Sequence, residues 1–73
     1  MKKLNVGALV IQKPSFINET ASVGIITKRL LMSERPHIEV YWCQNRKVTL
    51  HSEHEVEWYL IGGEFALWTI IDE

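Results

Sequence analysis

One cysteine, three histidines and an alternating set of glutamates carry most of the chemistry open to this chain. Cys43, His51 and His54 fall close together, and His37 offers a fourth donor. Zinc would require three or four such donors converging tetrahedrally. There is no Cys-x-x-Cys pair, and His51 and His54 would meet only across a helical or 3₁₀ turn. No metal or other cofactor is therefore expected. Cys43 beside His51 or His54 could also make a thiolate nucleophile. That chemistry needs a depressed thiol pKa, a neighbouring base and a pocket that excludes water. No nucleophile-elbow or oxyanion-hole motif is present, and so short a chain leaves little room for a cleft. Glu53, Glu55 and Glu57 read as a solvated turn, not as a paired acid and base. The expectation is a protein that is not an enzyme.

Aromatic and basic residues give a second chemistry. Tyr41, Trp42 and Trp58 could stack on bases, and Lys28, Arg29, Arg35, Arg46 and Lys47 could face a phosphate backbone. A nucleic-acid surface built on Tyr41, Arg46 and Lys47 is the alternative reading. Against it stand a net charge of −1 and a pI near 6.3, since backbone binders carry a basic excess. Trp42 also falls on the inward side of its strand.

These residues must be positioned by a single small domain, residues 1–73, of which 47% are hydrophobic and 23% charged. That apolar content excludes disorder, and the lone cysteine excludes an internal disulfide framework and fits a reducing compartment. The start Met1-Lys2-Lys3 has the charge of a signal peptide, but the apolar run over 6–11 is short and is broken by Gln12, Lys13 and Pro14. No stretch approaches a membrane span. A soluble cytoplasmic protein without a membrane partner is expected.

Residues 7–12 and 23–28 read as strands, separated by a loop over 14–21. Gly24 marks a bulge, or a bend where a Cβ would be in the way. Residues 31–36 form a polar connection. Ile38, Val40 and Trp42 then alternate with Glu39, Tyr41 and Cys43, and a turn over 44–46, with Asn45 at positive φ, leads to a return strand with Val48 and Leu50 inward. Ser52 and Glu55 have capping-box spacing, and Val56, Tyr59 and Leu60 have helical spacing. The β-prone Trp58-Tyr59 and the following Gly62-Gly63 favour instead one 3₁₀ turn, a strand over 56–61, a two-residue hairpin turn and a last strand over 64–71. The sum is an all-β chain of five or six antiparallel strands, closed as a small barrel.

Val6-Gly7-Ala8-Leu9-Val10, Gly24-Ile25-Ile26, Val40-Tyr41-Trp42 and Val48-Thr49-Leu50-His51, followed by the polar turn over 52–55, resemble SH3-like (Tudor- and KOW-type) β-barrel proteins. The likeness extends to the small ones encoded by tailed bacteriophages. It covers residues 6–58 and implies a barrel whose first strand opens with a Gly and an apolar pair, with a Gly-Ile/Val-Val step in its second, a Trp ending its third and a 3₁₀ turn before its last. It further implies an accessory or structural phage protein, in the host cytoplasm or the virion.

Residues 59–73 depart from that pattern as an apolar hairpin arm. Of seven aromatic residues, six lie between Tyr41 and Trp68. Phe65, Leu67, Thr69 and Ile71 would share one face, and Ala66, Trp68 and Ile70 the other, so that neither face is polar. Something must cover the second face. Either the arm closes its own barrel, or it pairs with the same arm of a second subunit or docks on another protein, and the latter is the favoured reading. A non-enzymatic protein–protein interaction module is expected, self-associating as a dimer through Trp58, Tyr59, Phe65, Leu67 and Trp68.

Overall fold

The computed structural model describes residues 4–14, 20–63 and 66–71. Strands β1 (Leu9–Gln12), β2 (Ser22–Met32), β3 (Arg35–Trp42), β4 (Lys47–Ser52) and β5 (Trp68–Ile71) form one antiparallel sheet in the order β4-β3-β2-β1-β5. Helix α1 (Glu53–Leu60) connects β4 to β5. The fold is small, all-β and barrel-like, as the alternating pattern predicts.

The alternation sets the inside. Ile38, Val40 and Trp42 are buried on β3, facing Ile26 on β2, Val10 on β1 and Ile70 on β5 across the register. Val56 enters the same core from α1. Gly24 lies opposite Trp42, and a Cβ there would fall 2.6 Å from Val40 Cγ1 and 2.9 Å from Trp42 Cε3. The glycine therefore serves close approach. The bulge lies further on, at Thr27, where the β2–β3 register shifts between Ile26 and Lys28. Thr27 Oγ1 donates to Glu39 Oε1 at 2.7 Å.

The sheet curls until its two edge strands meet through side chains. His51 on β4 packs edge-on to Trp68 on β5 at 4.8 Å between ring centroids, and Trp42 on β3 meets Trp68 at 5.6 Å. No backbone ladder joins β4 to β5 among the described residues.

Several expectations are corrected. Residues 31–36 are not a loose connection: β2 and β3 run on to a tight turn at Ser33 and Glu34, both at positive φ. Those signs are what a two-residue hairpin turn requires. Pro36 is tolerated because β4 ends opposite His37, leaving Pro36 paired on one side only, with Leu31. In the β3–β4 turn the positive φ falls on Arg46, not Asn45, whose Oδ1 accepts from the Lys47 amide at 3.0 Å.

Val48 and Leu50 do not point inward. They are 53% and 48% exposed, and Thr49 and His51 take the inner positions. Most importantly, residues 53–60 are an α-helix and not a 3₁₀ turn with a strand and hairpin. Ser52 accepts from the Glu55 amide at 3.1 Å as N-cap, and Glu53 and Glu55 lie in the first turn, where the dipole favours acids. Val56, Tyr59 and Leu60 pack on the core, so burial of that stripe overrides the β-propensity of Trp58-Tyr59. Gly62 and Gly63, both at positive φ, end the helix segment instead of turning a hairpin.

Candidate functional site

Two surfaces can do chemistry or recognition. The first is a polar relay set in aromatic rings where β4, β5 and α1 meet. Trp42 Nε1 donates to Thr49 Oγ1 at 2.8 Å, and Thr49 Oγ1 lies 2.7 Å from His51 Nε2. His51 Nδ1 lies 3.2 Å from Glu55 Oε1, and the Tyr59 hydroxyl donates to that same oxygen. An indole N–H only donates and a carboxylate only accepts. His51 therefore bridges the Thr49 hydroxyl and the Glu55 carboxylate, one ring nitrogen to each.

The Tyr59 hydrogen bond, aided by that from His51, holds the Glu55 carboxyl below its ordinary value. Its counterpart raises the Tyr59 phenol, through the Glu55 hydrogen bond first and burial second. The Tyr59 ring stacks at a tilt on Trp68, 4.8 Å away.

Thr49, His51 and Glu55 have the order of a nucleophile, a base and an orienting acid. The position of Thr49 does not support that use. Its oxygen already accepts the Trp42 indole, and it does not line the adjacent cleft. That cleft, about 290 Å³, is bounded by Gln12, Lys13, Pro14, His51, Tyr59, Leu67 and Trp68. The relay ties α1 to β4, and its satisfied hydrogen bonds make it a structural element.

The second surface is the outer face of the sheet. Cross-strand partners share a face, and the register places Val48, Tyr41, Ile25, Leu9 and Ile71 in one lateral row across all five strands. Leu50 on β4 and Ile11 on β1 flank it. Val48, Leu9 and Ile71 are 53%, 38% and 43% exposed, while Tyr41 and Ile25 are half-buried.

The residues singled out in the sequence do not form one patch. Trp58 is 67% exposed on α1, whereas its neighbour Tyr59 turns inward to Trp68. Trp68 is buried in the core and so is not a surface residue. Leu67 is exposed at the cleft, and Phe65 lies outside the described residues. The predicted alternation of the last strand holds: Ala66, Trp68 and Ile70 are buried, and Leu67, Thr69 and Ile71 are exposed. Instead of a hairpin arm, β5 pairs with β1 of its own sheet, with Leu9 opposite Ile71.

Of the alternative nucleic-acid set, Tyr41 lies in the outer apolar row, and Arg46 and Lys47 lie at the β3–β4 turn. Lys28, Arg29 and Arg35 lie toward the other end of β3, and Arg29 pairs with Glu53 at 2.9 Å. Cys43 is exposed in the turn and His54 is exposed on α1, while His51 faces inward; no group of three or more metal-donor side chains converges among the described residues. No described helix is long and apolar enough to cross a membrane.

The relay was hidden in the sequence because its members are separated along the chain and join only through the unexpected helix. The i, i+4 spacing of His51, Glu55 and Tyr59 was the available signal. The apolar row was hidden because register, not sequence, puts its five members in line. Comparison with known protein families, with characterised proteins and with solved structures gave no match.

Proposed function

We propose that the protein is a non-enzymatic protein–protein interaction module that associates with itself, on an SH3-like barrel. The barrel reading is supported by the Gly24-Ile25 step in β2, Trp42 at the end of β3 and the polar segment before the last strand; Gly7 lies two residues ahead of β1 and does not open it. That segment is a two-turn helix, longer than the resemblance implies.

The observation that carries self-association is the apolar row on the outer face. A sheet face turned to water normally alternates to polar residues. Here Val48, Tyr41, Ile25, Leu9 and Ile71 form an uninterrupted band. Contiguous apolar bands of this kind mark recognition surfaces, and a symmetric pair buries such a band most simply. The binding surface is thus moved from the C-terminal segment to the sheet.

Sedimentation of the intact chain at tens of micromolar tests the reading. A mass at or above twice the 8.5 kDa chain mass is expected. A single species at the monomer mass overturns it.

A further inference from the structure

The fold treats the three glutamates of α1 differently. Glu53 pairs with Arg29 at 2.9 Å, and Glu55 takes hydrogen bonds from Tyr59 and His51. Glu57 is half-buried, yet its carboxylate makes no hydrogen bond and no ion pair with any described residue. Its place also runs against the helix. It stands at the start of the last turn of α1, which has no basic side chain, and the carbonyl end of a helix disfavours an anion. Neither capping nor ion pairing accounts for an acid there.

Glu57 borders a groove between the C-terminal end of α1 and β5. The groove has a volume of about 550 Å³, within the range of small-ligand sites. Its floor is Ala66, Trp68 and Ile70, all buried, and its wall is Leu60 and the 63% exposed Ile61. Among the described residues that line it, Glu57 alone is charged. On its other side Glu57 borders a polar cleft with Arg35 and His54, but neither pairs with it.

An apolar trough with one unpaired anion at its rim, set at the negative end of a helix, selects a particular chemistry. A hydrocarbon body loses water against Leu60, Ile61 and Ile70. An ammonium at its end meets Glu57 in a charge-assisted hydrogen bond. An anionic ligand is repelled by both Glu57 and the helix end, and an uncharged one leaves Glu57 unpaired. A protein partner needs about 800 Å² on each side, more than one helix end and a four-residue strand present here.

We infer that the groove between α1 and β5 binds a small amphipathic cation, with its hydrocarbon on Leu60, Ile61 and Ile70 and its ammonium on Glu57. The groove shares no residue with the outer apolar row, so it stands apart from the self-association reading.

The test titrates the isotope-labelled intact chain with hexylammonium, hexanol and hexanoate and follows the amide shifts by NMR. Hexylammonium should give saturable shifts centred on Leu60, Ile61, Ala66 and Ile70. It should bind roughly tenfold or more tightly than hexanol, as a hydrogen bond to a charged group provides, and hexanoate should bind most weakly. Glu57→Gln should bring hexylammonium to the level of hexanol and leave hexanol unchanged. Ile61→Ser, at an exposed position, should weaken hexylammonium and hexanol alike. The inference is overturned by wild-type protein that shows no saturable shifts with hexylammonium or that binds the three probes equally. Shifts centred on Arg35 and His54 also overturn it, as does a preference for the ammonium that survives in Glu57→Gln.

Discussion

At the scale of residues, the most consequential group is the Glu55 carboxylate, which takes hydrogen bonds from Tyr59 and His51 and so links two turns of α1 to the edge strand. Glu55 has its carboxyl pKa lowered in the fold. A carboxylate shifted that way stabilises the fold above its unfolded pKa, and this contribution is lost as pH falls through the folded value. Tyr59→Phe removes the larger of the two causes while leaving the ring against Trp68. The expected result is a loss of about 0.5–1 kcal/mol near neutral pH. The side chain of Glu55 is 44% exposed, so water screening keeps the effect at the low end of that range. Urea midpoints measured from pH 7 down to pH 3 should fall less steeply for Tyr59→Phe than for wild type. Parallel curves would show that the hydroxyl does not govern Glu55.

At the scale of elements, helix α1 and strand β4 show what was legible and what was not. The β3–β4 hairpin could be read because Ile38, Val40 and Trp42 alternate strictly and all three are buried. Its return strand misled, because Val48 and Leu50 are the apolar residues and yet face out. The inner positions go to Thr49 and His51, whose polar atoms are satisfied by Trp42 and Glu55. Burial of a hydrogen-bonded polar pair cannot be distinguished from exposure by alternation alone.

Helix α1 was legible in its cap and its spacing but was outweighed by the propensity of Trp58-Tyr59 and by the glycine pair. Tertiary packing of Val56, Tyr59 and Leu60 decides the matter. The cap should therefore be needed. Ser52→Ala removes the acceptor for the Glu55 amide and should cost about 1 kcal/mol, measured as a lower urea midpoint with an unchanged slope. An unchanged midpoint would mean that packing alone holds the helix start.

At the scale of the whole molecule, β5 is the structural keystone of the barrel. It supplies Trp68 and Ile70 to the core, and Ala66 just before it is also buried. It covers the β1 edge, and Trp68 touches His51, Tyr59 and Trp42. Deleting residues 64–73 removes two large buried side chains, each worth roughly 2–3 kcal/mol, from a domain whose total stability is on the order of 5 kcal/mol. The truncated chain should lose cooperative thermal unfolding and near-ultraviolet dichroism, and it should aggregate. A soluble, cooperatively unfolding fragment would show that the segment is dispensable.

The pairing of β5 with β1 also bears on how the chain is made. Leu9 lies opposite Ile71 and Val10 opposite Ile70, so the first strand of the sheet finds its second neighbour only in the last. Ladders between segments so distant in sequence form late and slowly. On the ribosome, β1, β2, β3 and β4 emerge with the β1 edge unpaired and with Trp42 lacking Trp68. Until the segment that supplies β5 has emerged and docked, that edge is open to other chains, and docking of β5 is the event that completes the sheet.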